Sequence, residues 1–426
     1  MKKTSLLSGF YRLSLNERLR IVKEFAGLSD EEVETIKRAS ALSLEQADRM
    51  IENVIGTTPL PLGIAVNFLI NGKDYLIPMA IEEPSVVAAA SNAAKMARAK
   101  GGFRASSTEP LMIGQVQVVK VNDPVKAKEA VLANKEKILG IANSKDPTLA
   151  KLGGGAKDVE ARILETKVGK MVIVHLIVDT RDAMGANVVN TMAEAVAPYI
   201  EEITGGQVYL RIVSNLATLR LARSEAIFAK EALGGEEVVD GIIQAYEFAA
   251  SDVYRCATHN KGVMNGIIAV ALATGNDTRA IEAGAHSFAS LGGYKPLTRW
   301  EKTSEGDLLG KIELPLAVGI IGGVTKVHPV ARICLKILGI NSARELAEVM
   351  ASVGLAQNLA AMRALVTEGI QRGHLKLHAR NIAASAGATG ELVDVIAMRM
   401  IEEGKVSFDR AVEILGEIRG RSGNGA

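Results

Sequence analysis

The order of strand and helix patterns between residues 109 and 215 restricts the fold more than any other feature of the sequence. Four segments have the alternating or apolar pattern of strands: 111–121, 156–166, 170–179 and 207–213. Two segments between them have the composition of helices: 123–144 and 186–202. The resulting β-α-β-β-α-β order is that of the ferredoxin-like fold. We therefore predict that residues 109–215 form a small separate domain.

The rest of the chain predicts a larger domain in which helices dominate. A strand over 75–81 leads into an Ala-rich helix over 85–100, with Pro84 at the helix start, where proline is favoured. After the small domain, helical patterns recur at 222–233, 236–257, 262–274 and 278–290. The predicted fold class is α+β, with three parts: a large helix-rich α/β domain (1–108 and 216–372), an inserted ferredoxin-like domain (109–215) and a C-terminal helical flap (373–426).

Composition excludes several classes of protein. The 426 residues include 50 basic and 48 acidic side chains, and the net charge of +2 excludes a strongly basic nucleic-acid-binding protein. The two cysteines, Cys256 and Cys334, exclude a disulfide scaffold and favour a reducing compartment. We find no apolar run of the about 20 residues that a membrane span needs. We therefore expect a soluble, cytoplasmic protein that binds neither nucleic acid nor membranes.

General cofactor and metal motifs are missing from the sequence. It contains no Walker A motif. It also lacks the G-x-G-x-x-G that an acyl-CoA dehydrogenase or a hydroxy-acid dehydrogenase would carry after a strand. The glycines at 153–155 are more typical of a turn than of a phosphate-binding loop. No cysteine–histidine cluster has the spacing of metal ligands, so we expect no metal. These patterns alone leave the function open.

Longer motifs carry a resemblance to one family. Residues 52–56 are ENVIG and 82–85 are EEPS, and DAMGAN stands at 182–187. THNKGVMNG follows at 258–266, TGND at 274–277, GIIGGVT at 319–325 and Gly-His at 373–374. In this order the motifs resemble the 3-hydroxy-3-methylglutaryl-CoA (HMG-CoA) reductases, specifically the soluble class II branch. DAMGAN and GIIGGVT depart from the DAMGMN and GTVGGGT of the membrane-bound class.

The resemblance implies a reaction and its cofactor. A member of this family reduces HMG-CoA to mevalonate and free CoA with two NAD(P)H, in a reversible four-electron reaction that passes through a hemithioacetal and mevaldehyde. The expected ligands are NADH or NADPH, with NADH favoured, and CoA as part of the substrate. The alternative is a non-catalytic CoA- or nucleotide-binding protein on the same fold.

Four residues match the catalytic positions of the family. Glu83 would donate a proton to the carbonyl oxygen, and Lys261 would place a buried ammonium next to the developing alkoxide. Asp277 would link these two by hydrogen bonds. His374 would protonate the CoA thiolate, with His378, one helical turn away, as its rival. The residues alone also allow simpler roles: Glu83 as a cap of the next helix, Lys261 as a solvated surface side chain and Asp277 as the N-cap of a helix from residue 278.

The resemblance also implies binding residues. Ser85, Asn215, Arg255 and Asn265 match positions near the substrate, where Arg255 would pair with the free carboxylate of HMG. A surface ion pair is the alternative role of Arg255. The cofactor loop would contain Asp182, Met184, Gly185 and Asn187. Asp146 matches a position associated with NADH, since its carboxylate would repel the 2′-phosphate of NADPH.

The family relationship finally implies a second copy of the chain as partner. The active site would form between the two subunits of a homodimer, with ENVIG and Glu83 from one subunit and the cofactor domain from the other. A hexamer is a further possibility.

Overall fold

The computed structural model describes residues 3–38, 40–367 and 369–423, without the side chains of residues 326, 370–377 and 420–423. The strands are β1 (Leu62–Ile70), β2 (Lys73–Ala80), β3 (Phe103–Ser107), β4 (Leu111–Val119), β5 (Gly155–Thr166), β6 (Gly169–Asp179), β7 (Gln207–Ser214), β8 (Leu221–Phe228), β9 (Thr298–Lys302) and β10 (Leu308–Pro315).

Helices form most of the remaining chain. After a short 3-10 helix (Phe10–Arg12), those of the first half are α1 (Leu15–Ala26), α2 (Asp30–Lys37), α3 (Leu44–Asp48), α4 (Val86–Arg98), α5 (Pro124–Ala133), α6 (Lys135–Asn143), α7 (Pro147–Lys151) and α8 (Ala186–Thr204). Those of the second half are α9 (Lys230–Leu233), α10 (Glu236–Ser251), α11 (Val253–Ala273), α12 (Thr278–Ala289), α13 (Gly323–Val327), α14 (Pro329–Leu338), α15 (Ala343–Val366), α16 (Ile370–Ser385), α17 (Glu391–Glu402) and α18 (Phe408–Gly423).

The strands form two separate sheets. Between residues 111 and 214, a four-stranded sheet has the order β5-β6-β4-β7, and each neighbouring pair is antiparallel. This is the strand order of the ferredoxin-like fold, and it confirms the predicted alternation of strands and helices. The other sheet has six strands in the order β2-β1-β3-β8-β10-β9. The α+β fold class is confirmed.

The core of the larger sheet combines a few aromatic rings with many small side chains. The rings of Phe68, Phe103, Phe228 and Trp300 follow one another at centroid distances of 5.6, 6.3 and 6.0 Å. A Cβ at Gly310, on the neighbouring strand, would lie 2.2 Å from the Trp300 ring, so only glycine fits there. Buried alanines of α4, α11 and α15 complete this core. Because alanine side chains are short, these helices pack closely and leave few positions for larger groups.

The start of α4 differs from the prediction in a way that concerns the site. The helix begins at Val86, and Pro84 lies in the turn before it. Ser85 occupies the N-cap position with a φ of 80°, in the left-handed region that non-glycine residues rarely adopt. The predicted helix start was therefore wrong by one residue, and proline is not its first member. The turn instead lets residues 83 and 85 face the helices that pack against α4.

The long helix α15 has the length and apolarity of a membrane span, alone among the described helices. In its most apolar 18-residue window, 67% of the residues are buried inside the structure. It packs against α11, α4 and the strands β8 and β3. Helix α15 is therefore a core helix of the large sheet domain.

The three C-terminal helices pack on one another. Ala379, Ile396, Met400 and Ile414 belong to a cluster of buried side chains that α16, α17 and α18 share. Contacts between α15 and α16 join this cluster to the rest of the chain. The predicted flap thus has a small apolar core of its own.

Candidate active site

A cavity of about 590 Å³ lies between the turn before α4, the first half of α11 and the second half of α15. The polar side chains that line it come from three distant parts of the sequence: Glu83, Ser85, Asn92, Arg255, Thr258, His259, Lys261, Asn265, Gln357, Asn358, Arg363 and Thr367. We call it the first cavity. It contains five of the residues singled out from the sequence, namely Glu83, Ser85, Arg255, Lys261 and Asn265.

Glu83 and Lys261 are in direct contact in the first cavity. The Lys261 Nζ donates to Glu83 Oε2 at 3.2 Å, and the amide of Asn265 donates to the same oxygen at 3.4 Å. Glu83 therefore binds α11 instead of capping α4, whose cap has no side-chain hydrogen bond. The Lys261 side chain is 62% exposed, so it is not the buried ammonium that we expected from the sequence. A single chain leaves this pair open on one side.

Arg255 supplies a cation without a carboxylate partner in the described part of the chain. Its backbone N–H is bound by Asp252, the N-cap of α11, and its guanidinium lies 3.7 Å from the sulfur of Met362. Burial lowers the pKa of Arg255 from its ordinary value, because the charge is partly removed from water. A surface ion pair, the alternative role, is not what the structure has. The guanidinium is instead available to an anion in the cavity.

Sequence reasoning did not single out three buried polar residues of this cavity, His259, Gln357 and Asn358. They are 1%, 6% and 1% exposed. Two adjacent amides inside the apolar run of α15 were the signal that could have revealed them, because buried polar side chains require partners.

A second cavity, of about 630 Å³, lies at the other end of α11. Its walls are residues 183–188, the turn at 275–279 and the glycine-rich segment 319–325. Met184, Gly185 and Asn187 line it, as does Asp277. The Asp277 carboxylate accepts hydrogen bonds from the N–H groups of Arg279 and Ala280, so it is the N-cap of α12. Its simpler role is thus confirmed, and within one chain it has no hydrogen bond to Glu83 or Lys261.

The loop before α8 is shaped by close backbone contacts. Gly185 has a φ of 104°, and a Cβ there would lie 2.4 Å from the Thr180 side chain. A Cβ at Gly319 would lie 2.6 Å from the backbone nitrogen of Met184. The Asp182 carboxylate accepts from the N–H of Ala343 at 2.8 Å, which ties the loop to the start of α15. Asp182 does not line the second cavity; it positions the loop that does.

The two cavities are well separated within one chain. Lys261 lies in the middle of α11 and Asp277 follows its end. The twelve residue-to-residue steps along the helix from Lys261 to Ala273 correspond to about 18 Å at 1.5 Å per step. The ENVIG segment lies on the Asp277 side, because Val54 and Gly56 share a third cavity with Leu272 and Gly275. The same cavity also contains Ala80, three residues before Glu83.

The remaining predicted residues lie outside both cavities, or their side chains are not among the described residues. Asn215 follows β7 and is exposed. The Asp146 carboxylate accepts from the N–H of Leu149 and caps α7. Residues 374 and 378 both lie in α16, but the side chain of His374 is outside the described residues, and His378 is half-buried.

Comparison with known proteins identifies the family. The sequence profile described as hydroxymethylglutaryl-coenzyme A reductase matches residues 14–379. The chain belongs to the HMG-CoA reductase family. It is 64% identical over 416 residues to the 3-hydroxy-3-methylglutaryl-coenzyme A reductase of Archaeoglobus fulgidus, covering 98% of this chain and 95% of the relative. A probable HMG-CoA reductase of Borreliella burgdorferi is 38% identical, covering 87% of this chain and 86% of the relative.

Solved structures of HMG-CoA reductases share the fold. The class II enzyme of Streptococcus pneumoniae, described as bound to NADPH in open conformations, has a TM-score of 0.81 and 42% identity and covers 96% of this chain and all of that one. A further structure of the enzyme from that organism has a TM-score of 0.83 and 41% identity, covering 96% of this chain and 99% of that one. The chain is an HMG-CoA reductase, an NAD(P)H-dependent oxidoreductase. Nothing favours a binding protein or an unrelated dehydrogenase.

Proposed function

We propose that the first cavity binds the HMG group and that the chain reduces HMG-CoA to mevalonate there. In the balanced reaction, HMG-CoA, two NAD(P)H and two protons give mevalonate, free CoA and two NAD(P)⁺. The observation that carries the proposal is the contact between Glu83 and Lys261 beside Arg255, which has no carboxylate partner among the described residues. One wall of the cavity thus offers a proton donor, an ammonium and a carboxylate-binding guanidinium.

Each of these side chains has a role that follows from its chemistry. Arg255 pairs with the free carboxylate of HMG in a two-pronged contact. Lys261 faces the thioester carbonyl and stabilises the negative charge that develops on its oxygen. Glu83, bound to Lys261, delivers a proton to that oxygen. Ser85 and Asn265 border the same space and orient the acyl group.

The second cavity has the form of a cofactor site. NAD(P)H supplies the two hydrides of the reaction. The absence of a side chain at Gly185 permits close approach of a ligand to the backbone at the start of α8, where the N–H groups attract phosphate. Met184 and Asn187 border the same space. Asp146 favours NADH, because its negative charge opposes a 2′-phosphate, although the Streptococcus pneumoniae relative has been solved with NADPH.

A complete site requires a second copy of the chain. Lys261 is about 18 Å or more from Asp277 along α11, and Glu83 is bound to Lys261. One chain therefore cannot bring Asp277 to this pair. In a homodimer, the second cavity of one subunit, with Asp277 and Asn215 nearby, faces the first cavity of the other. Apolar side chains at the start of α11 support such a contact, since Val253 is 62% and Tyr254 87% exposed. A hexamer would be an assembly of such dimers.

The two domains and the C-terminal flap have different roles in this arrangement. We infer that residues 109–215 act as the cofactor-binding domain and that residues 1–108 and 216–372 bind substrate and form the dimer. In the C-terminal flap (373–426), His374 protonates the CoA thiolate when it leaves, since a histidine carries a proton near neutral pH. Two buried free cysteines fit a reducing, cytoplasmic location.

An absorbance assay of the reduced nicotinamide tests the function. The protein is mixed with HMG-CoA and NADH or NADPH, and separately with mevalonate, CoA and NAD⁺ or NADP⁺. We expect oxidation in the first mixtures and reduction in the second, and Lys261→Ala should abolish both. No reaction in either direction would refute the proposed activity, and full activity of Lys261→Ala would refute the site.

A further inference from the structure

Three buried polar atoms around the first cavity have no hydrogen-bond partner among the groups that the structure describes. They are Ser85 Oγ, His259 Nδ1 and Gln357 Oε1. Buried polar atoms are nearly always hydrogen-bonded in folded proteins, because an unpaired one has lost water without replacement. Three around one cavity indicate that a ligand supplies the missing partners. Gln357 Oε1 can only accept, so part of that ligand must donate.

The protonation of His259 follows from its neighbours. Trp300 Nε1, which can only donate, lies 2.9 Å from Asn358 Oδ1 and therefore fixes the orientation of that amide. The Thr298 hydroxyl donates to the same oxygen at 3.0 Å. Since its hydrogen is used there, the Thr298 oxygen must accept from His259 Nε2, 2.6 Å away. His259 thus carries its hydrogen on Nε2, and Nδ1 is left as an acceptor.

This acceptor stays available at all working pH values. Burial lowers the pKa of His259 to about 3, with a smaller contribution from the positive charge of Arg255. The ring is therefore neutral, and Nδ1 keeps its lone pair. Arg255 and His259 are four residues apart in α11 and therefore lie on the same face of the helix.

The position of His259 along α11 relates it to one group of the substrate. It lies one turn after Arg255, about 6 Å along the helix axis and on the same face, whereas Lys261, two residues further, projects from another side of α11. In HMG, the carbon that carries the hydroxyl and the methyl group is two carbon atoms away from the carboxylate carbon. With the carboxylate on Arg255, as proposed above, the hydroxyl therefore lies within reach of His259, the residue one turn further on the same face.

We propose that His259 Nδ1 accepts a hydrogen bond from the C3 hydroxyl of HMG and is a specificity-determining residue for 3-hydroxyacyl groups. This inference rests on the proposed function. The hydrogen bonds that link Trp300, Asn358 and Thr298 would then have a role, which is to hold the imidazole with Nδ1 as an acceptor. An acyl-CoA without the hydroxyl would leave Nδ1 buried and unpaired, which lowers its binding in the transition state.

Two substrates and a pair of variants test the inference. The values of kcat/KM are measured for HMG-CoA and for 3-methylglutaryl-CoA, which lacks only the hydroxyl. His259→Gln keeps a donor toward Thr298 but has no acceptor at the Nδ1 position, whereas His259→Asn keeps an oxygen there. His286→Gln is the control, since His286 lies outside both cavities and binds Tyr294. Thermal melting confirms that each variant is folded.

We expect wild type to prefer HMG-CoA by about tenfold or more, as for one hydrogen bond to a buried group. His259→Gln should lose about this factor with HMG-CoA and little with 3-methylglutaryl-CoA, and His259→Asn should keep part of the preference. An equal loss with both substrates, or no loss, would refute the inference and would point to a buried water as the partner. Failure of wild type to use HMG-CoA would refute the proposed function instead.

A spectroscopic measurement on wild type does not depend on the variants. In protein labelled with ¹⁵N-histidine, HMG-CoA should shift the Nδ1 resonance of His259 toward the value of a hydrogen-bonded acceptor. 3-Methylglutaryl-CoA should leave it unchanged. The same shift with both ligands, or with neither, would contradict the contact.

Discussion

A mixture of two inactive variants should recover activity if the site is shared between subunits. Glu83 lies in the first cavity and Asp277 in the second, at the far end of α11. Glu83→Gln removes the proton donor of one subunit, and Asp277→Asn removes the carboxylate that the other subunit contributes. Each variant alone has two defective sites per dimer and should be inactive.

The size of the recovery follows from the geometry. In a heterodimer, one site combines both defects, and the other combines an intact Glu83 with an intact Asp277. When the variants are co-expressed in equal amounts, about half of the dimers are heterodimers, and each has one working site of two. We therefore expect about a quarter of the wild-type rate per subunit. The rate is measured as NAD(P)H oxidation with HMG-CoA on the co-expressed mixture, and heterodimers purified through two different affinity tags should show about half of the wild-type rate.

A second pair of variants is the matched control. Glu83 and Lys261 contact each other within one chain, at 3.2 Å. A heterodimer of Glu83→Gln and Lys261→Ala then has one defect in each of its two sites and should stay inactive. Activity in this control, or none in the Glu83→Gln and Asp277→Asn mixture, would mean that the separation of the two cavities does not reflect the assembled site.

The remaining predictions concern the cofactor and the stability of the fold. Asp146→Ser keeps an oxygen for the α7 cap but removes the charge, so kcat/KM with NADPH relative to NADH should rise about fivefold; an unchanged ratio would exclude Asp146 from coenzyme choice. Gly185→Ala places a Cβ 2.4 Å from Thr180 in a left-handed conformation, and urea unfolding should show a loss of about 2 kcal/mol or more, with a raised KM for NAD(P)H. Asp74 is partly buried, which raises its pKa, but hydrogen bonds from Arg98 and Ser5 outweigh burial and hold that pKa below the ordinary 3.8. Its stabilisation is therefore present above about pH 4 and lost as the pH falls, so the melting temperature of Asp74→Asn should depend less on pH than that of wild type in this range, and parallel curves would contradict the ion pair.

Local patterns predicted the element order of the segment 111–214 well, for a physical reason. Its strands and helices are regular and close in sequence, so side-chain periodicity is enough to place them. The turn before α4 was placed less well. Ser85 adopts a left-handed φ there, which the general preference of proline for helix starts did not anticipate. At Lys261, the sequence identified the residue but not its surroundings, because the exposed fraction of a side chain depends on what packs against it.

The sequence by itself determined the family, the element order of residues 111–214 and the identity of the residues on which the proposed chemistry depends. These properties are carried by the order of residues along the chain. Only the tertiary structure decided that Glu83, Lys261 and Asn265 meet while Asp277 lies at the other end of α11. It also decided that His259 keeps an unpaired acceptor, because that state depends on Thr298, Trp300 and Asn358, which packing brings together from distant parts of the chain.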